Sequence, residues 1–341
     1  MILLGQSRQN LLVICDFRFV FMIEQYDHKT IVEMFDGQNV SPMLPYESLD
    51  ADTETIAKSV QASGRISVSG AQPKYAMVVD NGQLRFAKKE EQGHYILKPH
   101  PVERDFLNRE YMPINEWVTM HIAQDVYSIE TAKNCLCYFQ NGEVAYLTRR
   151  FDVKKDNTKF LQEDLASVAN INEDTNGEDY KYDALSYEDC GALIDKHVSA
   201  AMVDKLKFFK LVLFNYLICN DDAHLKNFSL MSDDGKEYRL TPAYDLLNTS
   251  LHLYEPRIFA LSKGLYNGMI IDDIHSVTGA SFEEFGKRLG FSSKLIEKEL
   301  NSFRMEKPRV KEMLENSGLP ENLIKSYFLG YDYRRKTLSF M

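Results

Sequence analysis

Hydrophobic and polar positions alternate with strand-like spacing between Arg65 and Arg150, and helical spacing takes over beyond residue 150. Tyr75 to Val79 and Gln83 to Ala87 flank Asp80-Asn81-Gly82, and Asn134 to Gln140 and Glu143 to Thr148 flank Asn141-Gly142. Asn and Gly between such runs predict hairpins, because these residues tolerate positive φ. His94 to Lys98 predicts one more strand. A single helix over Asn115 to Gln124, with Trp117, Val118, Met120 and Ile122, is expected to pack on that sheet.

Beyond residue 150 helices are predicted at Gln162 to Asn170, Tyr187 to Ser199, Asp204 to Cys219, Ser281 to Leu289, Ser293 to Phe303 and Pro320 to Arg335. In the third, Leu206, Phe209, Leu213 and Tyr216 or Leu217 recur at helical spacing, and Asp204 suits an N-cap. Phe228 to Met231 and Glu237 to Leu240 read as a small hairpin. The pattern predicts an α+β chain with a β-rich N-terminal lobe and a mainly helical C-terminal lobe, and ligands favour the cleft between such units.

Composition places the chain among globular proteins: 341 residues, 44% hydrophobic and 26% charged, with a net charge of −10. That charge supplies no overall field to attract nucleic acid or an anionic membrane. Cys15, Cys135, Cys137, Cys190 and Cys219 are odd in number and show no zinc spacing, so buried thiols in a reducing compartment are expected. The apolar run Leu11 to Ile23 contains Asp16 and Arg18, too short and too charged to span a bilayer, and it lacks a signal-peptide cleavage site. A cytoplasmic protein is expected, with its start open between Met1 and Met22.

The densest polar cluster is Asn220-Asp221-Asp222-Ala223-His224-Leu225-Lys226-Asn227, followed after the small hairpin by Thr241-Pro242-Ala243-Tyr244-Asp245. Phosphoryl transfer needs a proton acceptor, oxygen ligands for Mg²⁺ and a cation on the phosphate. Asp222 with Asn227 five residues on, then a hairpin and Asp245, repeats the order of the protein-kinase catalytic loop and its metal-binding carboxylate. Singly, these residues are ordinary caps and turns. His224 is more often a structural histidine, and a hydrolytic metal site of Asp221, Asp222, His224 and Asp245 competes, although no paired-His signature supports it.

Neither Walker A nor G-x-G-x-x-G occurs. Ile66-Ser67-Val68-Ser69-Gly70-Ala71-Gln72-Pro73-Lys74 is a small-residue turn able to cradle phosphates, or a plain polar connector. Lys98 ends a strand-like run where it could meet α- and β-phosphates, and Glu116 on the next helix is a candidate partner for it.

Together these segments resemble the HipA-type serine/threonine kinases of bacterial toxin–antitoxin systems. Ser67 to Lys74, Tyr95 to Pro99, Asn115-Glu116, Arg150-Phe151-Asp152, Gln162-Glu163-Asp164, Asn220 to Phe228 and Leu240 to Asp245 carry the resemblance in order, over residues 43 to 250. The serine pair with Gln72-Pro73-Lys74 is most like the short HipT-type toxins, which lack the first N-terminal domain of longer relatives. The resemblance implies a two-lobed protein-kinase-like fold and ATP and Mg²⁺ as cofactors. It makes Asp222 the catalytic base, with Asn227 and Asp245 as catalytic metal ligands. Lys98 becomes the phosphate contact, with Glu116 beside it, and Ser69, Gly70, Ala71, Gln72, Pro73 and Lys74 the phosphate-covering loop. Arg149, Arg150 and Phe151 align with the hinge that meets adenine, the family often having Glu where Arg149 stands. His224, Leu225, Lys226 and Tyr244 complete the expected nucleotide site, and Ser67 and Ser69 align with autophosphorylation positions.

The domains expected on this basis are an extension over 1–42, a nucleotide-binding lobe over 43–150 and a helical catalytic lobe over 151–341. The implied partners are a protein substrate, such as an aminoacyl-tRNA synthetase, a HipB-like helix-turn-helix antitoxin and a HipS-like small protein. Direct nucleic-acid and membrane contacts are not expected. The competing classes are a catalytically silent nucleotide-binding subunit acting through a DNA-binding partner, and a small-molecule kinase.

Overall fold

Asn81 and Gly82 both adopt positive φ, 50° and 76°, and pair Asp80 with Gln83 across a two-residue turn, as Asp80-Asn81-Gly82 predicts. The computed structural model describes residues 10–15, 18–23, 25–47, 72–101 and 106–340. The chain divides into two units, one of residues 1–117 and 132–151, the other of 118–131 and 152–341.

In the first unit β1 (Asn10–Cys15) and β2 (Arg18–Ile23) form an antiparallel hairpin. Helix α1 (His28–Phe35) is capped by Asp27, whose carboxylate accepts from Thr30 N at 2.7 Å, and ends at Asp36 with φ 51°. A five-stranded antiparallel sheet follows, in the order β4-β3-β5-β7-β6, from β3 (Tyr75–Asp80), β4 (Gln83–Phe86), β5 (Tyr95–Pro99), β6 (Asn134–Tyr138) and β7 (Val144–Arg149). Helix α2 (Met112–Tyr127) separates β5 from β6 and is longer at both ends than its sequence pattern predicts.

One face of the sheet buries Met77, Leu84, Phe86, Tyr95, Leu97, Ala145 and Leu147 against Tyr26, Met34, Phe35, Val40 and Leu44. Residues before 43 are therefore part of this core. Tyr95 and Leu97 face it, so strand alternation turns Lys98 to the opposite face.

In the second unit a three-stranded sheet runs in the order β10-β9-β8. Its strands are β8 (Leu161–Asp164), β9 (Ser229–Ser232) and β10 (Tyr238–Leu240). The helices are α3 (Leu165–Val168), α4 (Tyr187–His197), α5 (Ala201–Leu217), α6 (Gly279–Arg288), α7 (Ser293–Arg304), α8 (Pro308–Glu315) and α9 (Glu321–Thr337). Helix α5 is the core: Phe208 meets Phe228 at 5.1 Å between ring centroids, Phe209 meets Phe285 at 5.6 Å, and Tyr216 meets Phe282 at 5.1 Å. Hydroxyl contacts of Thr119 with Tyr327 (2.9 Å) and of Tyr127 with Tyr331 (2.6 Å) fasten the second half of α2 to α9.

Two sequence expectations are corrected here. Gln162 to Asn170 is not one helix: residues 161–164 pair antiparallel with β9, and Asp164 then caps the single turn of α3 by accepting from Ser167 N at 2.9 Å. Asp204 is not an N-cap, because α5 begins at Ala201 and Asp204 lies inside it. Its Oδ2 accepts from Leu240 N at 2.7 Å, so the carboxylate closes the end of β10 instead. The sequence pattern missed α8, which starts at Pro308 in the first-turn position that suits proline, and the turns Glu173–Asn176 and Tyr180–Asp183. Cys135, Cys137, Cys190 and Cys219 are buried free thiols, as expected. No described helix is long and apolar enough to cross a membrane.

Candidate functional site

In the first unit Lys98 stands on β5 opposite Tyr146 of β7, with its Nζ 5.4 Å from the centre of that ring. The same Nζ donates to Oε1 of Glu116, in the second turn of α2, at 2.7 Å, and both side chains are almost fully buried. The pairing expected from sequence is therefore formed. A buried ion pair is weak evidence for stability, since desolvation offsets the attraction.

Gln72 Nε2 donates to Pro99 O at 2.9 Å, fixing the entry to β3 beside the end of β5, and Pro73 and Lys74 lead directly into β3. Ser67, Ser69, Gly70 and Ala71 lie outside the described residues. Arg149, expected at the hinge, sends its guanidinium to the C-terminal end of α1. There it donates to Glu33 O (3.1 Å) and Met34 O (3.4 Å) and pairs with Asp36 at 2.6 Å. A cation there complements the exposed carbonyls of a helix end. The Arg149 backbone still donates to Lys133 O at 2.7 Å, and Arg150 N donates to His94 O at 2.9 Å, carrying the β5 pairing beyond β7. Phe151 is the last residue of this unit.

In the second unit α5 ends and the chain turns through Cys219 at φ 58° into the polar cluster. Asn220 organises it. Its Nδ2 donates to Asn215 Oδ1 (2.8 Å) and to Asp245 O (3.4 Å), while its Oδ1 accepts from Asp222 N (3.2 Å). One buried amide thus ties Asp222 to the segment bearing Asp245. A second tie runs from Tyr244 Oη to Lys226 O at 3.0 Å, with Ser229 Oγ 2.5 Å from the same hydroxyl. Leu225, Lys226 and Asn227 form one 3-10 turn, and Asn227 Nδ2 donates to Asp222 O at 2.7 Å. That bond sets the amide, directing its nitrogen to the Asp222 carbonyl and its Oδ1 away from it. Asp245 is held at φ 55°, a left-handed conformation uncommon for a residue with a side chain.

The Asp222 side chain is half exposed. Its Oδ1 accepts from Tyr182 Oη at 2.8 Å and lies 3.8 Å from Nε2 of His224. Burial holds the His224 imidazole below its usual pKa despite the nearby carboxylate, so the ring is neutral at neutral pH. Asp221 points elsewhere. Its Oδ2 accepts from Arg257 N at 2.6 Å, and burial raises the pKa of its carboxyl. Among the described residues no three His, Cys, Asp or Glu side chains form a metal-binding group, which removes the support for a hydrolytic site of Asp221, Asp222, His224 and Asp245. Asn227 and Asp245 do offer an amide oxygen and a carboxylate, hard donors of the type Mg²⁺ takes alongside phosphate oxygens, so the residues present fit that ion.

The sequence pattern missed Tyr182, Asn215, Thr249 and Arg257. Thr249 Oγ1 accepts from Asp221 N (2.9 Å) and donates to Cys219 O (2.8 Å). None carries a spacing signal; Tyr182 stands 40 residues before the carboxylate it meets.

The solved structure of Shewanella oneidensis HipA, with HipB and its operator DNA, superposes with a TM-score of 0.63 at 19% identity, covering 84% of this chain and 70% of that one. The α+β, protein-kinase-like fold expected from sequence is the one found. A Haemophilus influenzae protein named "Putative kinase" is 26% identical over 338 residues, 93% of each chain. The Shewanella oneidensis serine/threonine-protein kinase toxin HipA is 28% identical over 206 residues, 55% of this chain and 44% of that protein. The model of the HipA-like C-terminal domain matches residues 66–313, well over half of the sequence, and the chain belongs to that family.

Proposed function

We propose that the protein is an ATP- and Mg²⁺-dependent serine/threonine protein kinase of HipA type. The observation that carries this reading is the tie made by Asn220, which joins the half-exposed Asp222 to the Asp245 segment, with Asn227 bonded to Asp222 O. Base and metal donors are thus assembled by hydrogen bonds rather than scattered on loops.

Asp222 receives the proton of the acceptor hydroxyl as its oxygen attacks the γ-phosphorus of ATP. Asn227 Oδ1 and the Asp245 carboxylate would hold Mg²⁺, which offsets phosphate charge when bound. Lys98, oriented by Glu116, contacts the α- and β-phosphates, and Ser69 to Lys74 cover them. The backbone of Arg149 to Phe151 meets the adenine. Ser67 and Ser69 are the self-phosphorylated residues; a phosphate there adds up to about two negative charges where nucleotide phosphates must sit, which switches the enzyme off. The protein substrate is of the aminoacyl-tRNA synthetase class, and a HipB-like antitoxin is the partner. The relatives named as kinases, and a fold neighbour whose structure contains HipB, support this reading.

Asp222→Asn tests it. Purified protein incubated with labelled ATP and Mg²⁺ should phosphorylate its own 67–69 segment, and the variant should not, while its circular dichroism spectrum stays unchanged. Full phosphorylation by Asp222→Asn would reject the assignment of the base.

A further inference from the structure

The carboxylate assigned as the base has two oxygens, and the structure treats them differently. Oδ1 takes the Tyr182 hydroxyl at 2.8 Å and has the His224 ring 3.8 Å away, whereas no described residue donates a hydrogen bond to Oδ2. Tyr182 has one proton to give, and it goes to Oδ1. We propose that Tyr182 is a positioning residue of the reaction: its hydroxyl anchors Oδ1 of Asp222 and presents Oδ2 as the oxygen that receives the substrate proton. This rests on the kinase reading above.

Tyr182 is built into place rather than resting there. Its backbone lies in the turn Tyr180–Asp183, where Tyr182 N donates to Asp179 O at 2.8 Å and Tyr182 O accepts from Ser262 N at 3.0 Å. Lys263 Nζ donates to Ala184 O at 2.7 Å, holding the chain just beyond. The ring meets His224 edge to face at 5.1 Å and carries the Arg257 guanidinium at 5.6 Å and the Lys181 ammonium at 4.9 Å. Arg257 is in turn fixed through its backbone N–H to Oδ2 of Asp221, the neighbour of Asp222 in sequence. The contacts close a circuit from Asp221 through Arg257 and Tyr182 back to Asp222. Burial and the Asp222 charge both raise the phenol pKa, so it remains a donor throughout the physiological range.

In the transfer step the acceptor oxygen bonds to the γ-phosphorus, the bond from that phosphorus to the β,γ-bridging oxygen breaks, the acceptor proton passes to Oδ2, and ADP leaves. A carboxylate free to rotate would offer either oxygen at a variable angle. Tyr182 removes that freedom before the substrate arrives, and such pre-orientation acts on the rate of transfer rather than on nucleotide binding.

The test follows phosphate incorporation into the full-length protein at varied ATP for the parent, Tyr182→Phe, Tyr182→Ala and Asp222→Asn. Loss of a hydrogen bond to a charged group predicts a maximal rate lower by about tenfold to a hundredfold in Tyr182→Phe, with half-saturating ATP unchanged. Tyr182→Ala should be at least as slow, so that restoring the ring alone, as Phe does, gives no rescue of the parental rate. A Tyr182→Phe protein as fast as the parent would assign Tyr182 to packing, and a faster one would make it an obstruction; both overturn the proposal. If Asp222→Asn is inactive while Tyr182→Phe is fully active, only the positioning role fails. If the parent transfers no phosphate, or Asp222→Asn transfers it fully, the kinase reading fails and this inference with it.

Discussion

The Lys98 ammonium lies 2.7 Å from the Glu116 carboxylate, and 5% and 3% of the two side chains is exposed, so each charge is compensated by protein groups, the other among them, rather than by water. Removing one partner takes from the other its buried ion-pair contact. Lys98→Met or Glu116→Leu alone should cost about 3–5 kcal/mol of stability, the range for breaking a buried pair. The double variant Lys98→Met with Glu116→Leu should recover most of that loss, because an apolar pair of similar volume carries no desolvation penalty. Nucleotide binding should not recover if the ammonium meets the phosphates as proposed. Urea unfolding and fluorescence titration with ATP would separate the two effects. A double variant as unstable as the single ones would show that the pair is not energetically coupled.

Asp204 gives a second case in which structure and local signal part. Its Oδ2 accepts from Leu240 N at 2.7 Å, and its Oδ1 lies 3.1 Å from Lys207 Nζ. Asp204→Ala leaves the Leu240 N–H without that acceptor beside a buried residue, a loss of about 1–3 kcal/mol. Asp204→Asn keeps an acceptor oxygen and should lose less. At the N-cap, exposed Ala200 has φ −94° and ψ 45°, outside the extended cap conformation, and its carbonyl already accepts from Val203 N at 3.0 Å, so Ala200→Asp should change stability little. Chemical denaturation of the three variants checks the order; equal losses in Asp204→Ala and Asp204→Asn would mean that the Leu240 bond contributes little.

What the chain discloses locally and what it withholds follow from the range of each interaction. The strands around Asn81-Gly82 and before Gly142 are legible because turn residues and alternation act over a few positions. So is most of α5, a long apolar run in which Leu206, Phe209 and Leu213 recur at helical spacing. Gln162-Glu163-Asp164 reads as a polar helix start, yet it pairs with β9, with Glu163 opposite Leu230, 67 residues on, and nothing local announces that edge. Asp204 looks like a cap for the same reason: its acceptor role is spent on Leu240, 36 residues away. In the candidate site, Asp222, Asn227 and Asp245 are legible through their order in the chain. Tyr182, Thr249 and Arg257 are not, because each reaches the cluster only through the fold.

Asp221 supplies a pH dependence whose sign can be worked out. Its carboxylate is buried, Oδ2 accepts from Arg257 N at 2.6 Å, and Oδ1 is buried with no hydrogen-bond partner. Burial outweighs the hydrogen bonds from the Thr249 and Arg257 side, and the folded-state pKa lies above the usual value of about 3.9. The folded protein therefore holds this proton to higher pH than the unfolded chain does. Its contribution to stability is fully present below about pH 4 and is lost as pH rises through the folded pKa. Asp221→Asn cannot titrate and keeps an oxygen for the Arg257 N–H. The stability of the parent minus that of the variant should fall as pH rises from about 4 and then level off above the folded pKa, with the carboxylates that titrate in both proteins cancelling in the difference. Urea midpoints for the two proteins across the acidic to neutral range measure it. A difference that is flat, or that rises with pH, would show that Asp221 is not the buried, proton-retaining carboxyl that its surroundings make it.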